Sequence, residues 1–184
     1  MKIQLLLILL LATTNIFAQE SKDTELMKAI SEMNAAKVQN LVAEGASLSS
    51  EKVTTFVMLL IQKAAFSDNL ETTEKMLSRF EFFVRQGGDV NIRVKTLDLE
   101  DEKISITDTP LTYISKIENR CPESLLVTIK KLLDLGADIH AKRITIYPSG
   151  PIYQTSMELN RYNGIACHKK IKDILENYAG TLPQ

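Results

Sequence analysis

The feature that most constrains the fold is an apolar pattern that recurs before three glycines. Apolar residues stand seven, four and three positions before Gly45, Gly87 and Gly136, and the same pattern precedes Tyr178. This spacing places apolar side chains on one face of a helix, and glycine accepts the left-handed conformation that commonly ends a helix. The pattern therefore predicts four units that each end in an amphipathic helix. The apolar residues are Val38, Leu41 and Val42; Phe80, Phe83 and Val84; Ile129, Leu132 and Leu133; and Ile171, Ile174 and Leu175.

A further helix precedes each of these, so the predicted unit is a helix pair. In the first unit, helical spacing runs from Leu26 to Met33, and Asp23 and Asn34 are the predicted N-caps because their side chains accept backbone hydrogen bonds. Each unit opens with a threonine two residues before an apolar one, at positions 24, 54, 109 and 155. The predicted units span about residues 23–50, 53–92, 108–142 and 154–181, within one domain of residues 19–184.

The third unit is the most regular, and it resembles the ankyrin repeat. Thr109-Pro110-Leu111 leads to a helix end and turn that span Lys131 to Ala141. The resemblance covers residues 23–180 and implies an all-α repeat solenoid, an ankyrin-like stack of about four helix pairs that binds proteins. Two departures are clear. Thr112 stands where the family has histidine, and the helix ends are 42, 49 and 42 residues apart against about 33 in the standard repeat. A non-repetitive helical bundle is the alternative.

Two segments between units alternate like strands, residues 92–108 and 142–154. We interpret both as long β-hairpin fingers, and we expect their tips and the concave helical face to bind a partner. The candidate binding residues are Arg143, Ile146, Tyr147 and Tyr153 in the second finger, and Asp98, Glu100 and Asp101 in the acidic first finger. Tyrosine and arginine are enriched at interface hot spots. The alternatives are that the tyrosines pack on each other across the hairpin and that the acidic run is only solvated.

Residues 1–18 have the pattern of a signal peptide. Lys2 precedes an apolar run from Ile3 to Ala12, and Ala18 is the small residue expected before cleavage. The run is shorter than the roughly 20 apolar residues of a spanning helix, so we expect a periplasmic or secreted protein without membrane insertion after cleavage. A permanent N-terminal anchor is the alternative. The chain after residue 18 keeps 21 Lys and Arg against 23 Asp and Glu, a balance that argues against nucleic acid and membrane surfaces as partners.

Only two cysteines are present, Cys121 and Cys167. In the predicted stack they precede equivalent helices of adjacent units, so we expect a disulfide that ties down the last unit. The pair Cys167-His168 suggests metal or thiol chemistry as an alternative, but adjacent ligands without a second pair make a weak zinc signal. No metal, no cofactor and no catalytic residue is predicted.

These observations predict a non-enzymatic protein-binding module, an exported adaptor or inhibitor that is monomeric by itself. A narrower alternative is a periplasmic immunity protein that neutralises a cognate toxin. The alternative from another class is an enzyme that uses Cys167 and His168.

Overall fold

The computed structural model describes residues 21–99, 103–116, 121–160 and 165–180, which form eight helices and four strands. No helix within these ranges is long and apolar enough to cross a membrane. In chain order the elements are α1 (residues 21–31), α2 (Ala35–Ala43), α3 (Glu51–Ala65), α4 (Leu70–Arg85), β1 (Val94–Leu99), β2 (Ile104–Asp108), α5 (Pro110–Ser115), α6 (Glu123–Asp134), β3 (Lys142–Tyr147), β4 (Gly150–Thr155), α7 (Ser156–Leu159) and α8 (Ile165–Ala179).

Three predicted helix ends lie at glycines in the left-handed conformation. The φ angles of Gly45, Gly87 and Gly136 are +97°, +95° and +90°. In each case the backbone N–H of the following residue donates to a carbonyl five positions earlier, at 2.9 to 3.0 Å. This hydrogen bond satisfies a carbonyl that the end of the helix would otherwise leave without a partner.

Polar caps define several helix starts, and the prediction is confirmed at Asn34, whose side chain accepts from the backbone N–H of Lys37 at 3.0 Å. Thr109 and Thr155 open α5 and α7 with reciprocal capping hydrogen bonds. Such a cap typically stabilises a helix by about 1 kcal/mol. The two short helices therefore depend strongly on the threonine that caps each of them.

Three predicted boundaries are wrong. Asp23 lies inside α1, and Thr54 lies inside α3, which begins after the cap Ser50. Tyr178 does not end a helix, because α8 continues to Ala179. Its hydroxyl donates to the carbonyl of Leu133 at 2.6 Å and so connects the end of α8 to α6. A local apolar pattern could not show that contact.

The prediction of an all-α repeat solenoid, an ankyrin-like stack of about four helix pairs, is wrong. The fold is mixed α/β, with one antiparallel sheet in the order β1-β2-β3-β4. Both predicted hairpins are present, as β1–β2 and β3–β4. They are not separate fingers, because β2 pairs with β3 through Ser105–Ile146, Ile106–Thr145 and Thr107–Ile144. The physical reason is that an open strand edge has unpaired backbone groups, which a neighbouring strand satisfies.

The helices form the hydrophobic core, in which α3 packs against α4 and α6, and α6 packs against α8. The predicted apolar face of α4 is confirmed at Phe80 and Phe83, both fully buried. Val94 at the start of β1 is also buried, so this end of the sheet is anchored to the helical layer. The turn of the β3–β4 hairpin lies at the other end of the sheet, where the large side chains beside the turn are exposed.

Candidate protein-binding surface on the β3–β4 hairpin

The β3–β4 hairpin is built from a short turn between strands that favour extended structure. Tyr147 pairs with Gly150, so Pro148 and Ser149 form a two-residue turn. The φ angle of Gly150 is +126°, a value that glycine adopts without a steric penalty. The β-branched residues of β3 suit a pleated strand. The turn therefore sets the register of the hairpin, and the register decides which side chains share a face.

Residues opposite each other in antiparallel strands project to the same face. Ile144 is opposite Tyr153 and Ile146 is opposite Pro151, which defines one face, here called the front face. Thr145 is opposite Ile152, which places Ile152 on the other face, here called the back face. Because side chains alternate along a strand, Tyr147 also belongs to the back face.

The tip of the hairpin exposes large apolar side chains on both faces. On the front face, Ile146 and Tyr153 are 46% and 54% exposed, and on the back face Tyr147 and Ile152 are 38% and 50% exposed. Nine large hydrophobic side chains are exposed among the described residues, and these four lie within eight consecutive positions. Singly exposed apolar residues are ordinary, but a cluster of them marks an interaction surface.

At the base of the back face, a buried polar cluster joins the sheet to α5. Asp108 is fully buried. Its carboxylate accepts hydrogen bonds from Thr96 at 2.7 Å and Thr112 at 3.1 Å, and it lies 3.5 Å from Nε of Arg143. Burial raises the pKa of Asp108, while the Thr96 hydrogen bond and the Arg143 charge lower it in part. Burial and the nearby Asp108 charge also raise the pKa of Tyr113 on α5.

Arg143 therefore has a different position from the one expected of a binding residue. It is 9% exposed, and its Nε atom is buried with no hydrogen-bond partner among the described residues. Alternation along β3 turns Arg143 inward beside Thr145, which is also buried. Sequence reasoning counted its guanidinium as an exposed donor because local alternation does not show which face of a strand meets the helices. In the fold, Arg143 anchors the sheet and does not contribute to the exposed tip.

The acidic residues of the predicted site are Asp98, Glu100 and Asp101. The backbone of Asp98 lies on β1, opposite Ser105. The side chain of Asp98, together with Glu100 and Asp101, lies outside the described residues. The steering role expected of these carboxylates stays a prediction.

The outer edge of the sheet at β4 is poorly suited to pair with another strand. Pro151 has no backbone N–H, which makes it a residue typical of edge strands. At the other end of β4, the backbone N–H of Thr155 donates to the Glu158 carboxylate at 2.6 Å. Two of the positions from which an added strand would need donors are therefore blocked. Side chains, rather than this edge, are the groups that β4 offers to a partner.

The front face also has a polar concavity next to its apolar tip. It has a volume of about 440 Å³ and is lined by Arg93, Asp138, His140, Lys142, Ile144 and Tyr153, together with Ala141. The guanidinium of Arg93 donates to the carbonyl of Lys142 at 3.1 Å, which holds this cation against the sheet. Sequence reasoning missed Arg93 and Lys142, since only the pairing of strands brings residues 49 positions apart together.

A second apolar surface lies on the helices. A groove of about 630 Å³ runs along α3 and is lined by Met27, Phe56 and Leu59 with three polar neighbours. Leu59 is 47% exposed. Leu59 and Thr55 also line a smaller concavity of about 170 Å³ that reaches β1 and Tyr113. The sequence patterns did not single out any residue of this groove as a binding residue, although the apolar positions of α3 extend around more than one helical face.

The predicted disulfide is confirmed, because Cys121 and Cys167 are bonded and their Cα atoms are 5.1 Å apart. The neighbouring His168 has Nδ1 2.9 Å from the carbonyl of Asn160, whose side-chain amide donates back to the His168 carbonyl at 2.9 Å. Cys167 in its bonded form has no thiolate to act as a nucleophile. This geometry gives no support to a catalytic pair of Cys167 and His168.

Within the described residues, no group of three or more histidine, cysteine, aspartate or glutamate side chains is placed to hold a metal ion. No protein-family model fits the sequence, and no curated protein matches it significantly.

Proposed function

We propose that this chain is a non-enzymatic protein-binding module, an adaptor or inhibitor that recognises a partner protein through the tip of the β3–β4 hairpin. The observation that carries the proposal is the cluster of Ile146, Tyr147, Ile152 and Tyr153, all exposed and all close to one turn. Exposing these side chains to water is unfavourable for the isolated protein. Two of the four are tyrosines, which are enriched among residues that dominate binding energy.

The energetic scale supports a specific but limited contribution from this tip. Fully burying a large apolar side chain contributes about 1.5–3 kcal/mol. Since the four side chains are about half exposed, covering them would contribute on the order of 3–6 kcal/mol. Association itself costs at least about 4 kcal/mol. The partner must therefore contact further residues, and the front-face concavity beside Tyr153 offers polar ones.

We also propose that the protein acts in an oxidising compartment outside the cytoplasm, periplasmic or secreted. The Cys121–Cys167 disulfide supports this location, because disulfides persist in such compartments and are rare in the cytosol. The signal-like pattern of residues 1–18, which lie outside the described residues, points in the same direction.

The proposal is tested by affinity capture with the full chain in extracts of its source cells, compared with Tyr147→Ser/Tyr153→Ser. Replacing the whole segment would be uninformative, because β3 is an internal strand that pairs with both β2 and β4. The control is Phe66→Ser/Leu70→Ser, which removes two apolar side chains of similar exposure, 44% and 42%, from a different surface. All variants are first checked for unchanged melting temperature.

We expect one protein to be captured in stoichiometric amount by the wild type and the control, and to be lost with the tyrosine variant. Equal capture by all three chains would show that the hairpin is not the binding surface. If the captured protein has an activity, its loss on binding identifies an inhibitor, and its retention identifies an adaptor.

A further inference from the structure

The hairpin tip is unusual in that it is apolar on both faces and carries no charge. Ile146 and Tyr153 lie on the front face, and Tyr147 and Ile152 lie on the back face. The ten residues from Ile144 to Tyr153 include no charged side chain. A sheet that packs on one surface needs only one apolar face, with polar residues on the other. Within this segment neither face has the charged residues that usually cover a solvated strand; the nearest described charge on the neighbouring strand is the exposed Lys103, which directly precedes β2.

We propose that the β3–β4 tip inserts into an uncharged apolar cleft of the partner protein, so that both faces of the hairpin are covered. The front-face cations Arg93 and Lys142 then meet acidic residues at the rim of that cleft. This inference rests on the proposed function and specifies the shape and chemistry of the partner.

Contact area argues against flat docking on either face. One large side chain buries roughly 150–250 Å² when fully covered, so two half-exposed side chains on a single face provide roughly 200 Å². A stable interface buries about 800 Å² on each partner. Enclosing both faces doubles the contribution of the tip, and the rim adds the rest. A second copy of this chain docked face to face would leave either Tyr147 or Tyr153 in water.

Pairing of a partner strand with β4 is also disfavoured. Pro151 lacks the backbone donor, and Glu158 occupies the N–H of Thr155 at 2.6 Å. The mode in which a peptide extends a sheet depends on those main-chain hydrogen bonds. Recognition must then come from side chains on the two faces, as insertion requires.

The rim chemistry follows from the charges around the front-face concavity. Arg93 and Lys142 are exposed, and neither forms a salt bridge with a carboxylate among the described residues. Asp138 lines the same concavity, but its carboxylate accepts the backbone N–H of His140 at 2.8 Å. Two cations against one engaged carboxylate leave a net positive surface. Complementary potentials across an interface favour an acidic rim on the partner.

Site-specific photo-crosslinking in the source cells tests the insertion. Tyr147 and Tyr153 report opposite faces of the tip, so each is replaced in the full chain by the crosslinking residue p-benzoylphenylalanine. Phe66, an aromatic residue with 44% exposure at the end of α3, is the matched control position. Crosslinked peptides are identified by mass spectrometry.

Insertion predicts that positions 147 and 153 crosslink to the same protein, at apolar segments on opposite walls of one cleft, and that position 66 does not. Crosslinking from only one of the two tip positions would indicate flat docking and overturn the insertion, while the proposed function would stand. Crosslinking only from position 66, or to a second copy of this chain, would also overturn the insertion. No crosslink from any position would count against the proposed function as well.

The acidic rim is tested by measuring association rates with the partner protein that crosslinking identifies, purified separately without the crosslink. Arg93→Gln/Lys142→Gln should lower the association rate several-fold at low salt and weaken its dependence on salt, because rim charges act mainly by steering. Melting temperature should change little, since both side chains are exposed and the variant removes only the exposed hydrogen bond from Arg93 to the Lys142 carbonyl. An association rate equal to that of the wild type at all salt concentrations would overturn the acidic rim but not the apolar cleft.

Discussion

Removal of the Cys121–Cys167 disulfide should lower the free energy of unfolding by about 4 kcal/mol. The bond joins residues 46 positions apart. Closing a loop of that length removes about 13 cal/mol/K of chain entropy from the unfolded state, which corresponds to about 4 kcal/mol at room temperature. Since domains of this size are typically stable by only about 5–15 kcal/mol, this loss would be a large part of the total.

The structure shows which contacts would still hold α8 in place without the disulfide. Cys121 lies two residues before α6, and Cys167 lies in the first turn of α8. Beyond the bond, Ile171 and Leu175 of α8 are buried against the core, and Tyr178 donates to the Leu133 carbonyl at 2.6 Å. These contacts should keep α8 docked under native conditions, so the main effect is expected on the unfolded state.

The assay is urea unfolding followed by circular dichroism, comparing the oxidised wild type with Cys121→Ala/Cys167→Ala. Alanine avoids burying a hydroxyl at position 167, where the cysteine is 5% exposed. The wild type in reductant is the second comparison. Titration of the unfolded, unreduced protein should find no free thiol. A difference below about 1 kcal/mol between oxidised and disulfide-free chains would refute the loop-entropy reasoning.

Three further outcomes follow from the buried contacts. Asp108→Ala should destabilise the fold by about 3–5 kcal/mol, because it removes the acceptor of the Thr96 and Thr112 hydroxyls together with the partner of the buried Arg143; adding Arg143→Met should restore part of that loss in urea unfolding. Burial raises the pKa of Asp108 above its ordinary value. The unfavourable burial of its charge is therefore present above the folded pKa and relieved as pH falls through it, so wild-type stability relative to Asp108→Asn should rise with acidification. Gly88→Ala should cost about 1–3 kcal/mol by overpacking, because an added Cβ would lie within van der Waals overlap of the ring of the buried Phe83.

A different experimental result would contradict each of these predictions. If Arg143→Met added to Asp108→Ala lowers stability further by its full single-mutant amount, the two residues are not coupled. A stability difference between wild type and Asp108→Asn that is independent of pH would show that the Asp108 pKa is the same in the folded and unfolded chains. Gly180→Ala is the control for Gly88→Ala, since its backbone is not in the left-handed region and its added Cβ would make only ordinary contacts, at 3.6 Å from two backbone carbonyls. Equal losses for both variants would exclude the Phe83 contact as the cause.

Much of the local structure follows from short-range rules. The helix ends at Gly45 and Gly136 were predictable because a left-handed residue after an amphipathic segment ends a helix for local steric reasons. The β3–β4 hairpin was predictable from alternating β-branched residues around Pro148 to Pro151. The exposed tyrosines of the candidate site belong to this local level, since a tip beyond the core stays in water.

The errors arise where distant parts of the chain meet. The solenoid prediction failed because no local pattern shows that Ile106 of β2 pairs with Thr145 of β3. Arg143 was predicted to contact a partner, but it is buried at the base of the sheet, for a related reason. Alternation groups the side chains of a strand into two sets, but only the packing of α5 against the sheet decides which set is buried. The Arg93–Lys142 concavity of the front face depends on the same strand pairing.

The sequence by itself determined the helical and extended segments, the glycine helix ends and the apolar, uncharged character of the hairpin tip. These depend on backbone sterics and side-chain polarity within a few residues. Only the tertiary structure decided that two hairpins form one sheet, that Asp108 and Arg143 are buried together, and that Tyr178 ties α8 to α6. Those outcomes depend on which surfaces exclude water from each other, and this is a property of residues far apart in the chain.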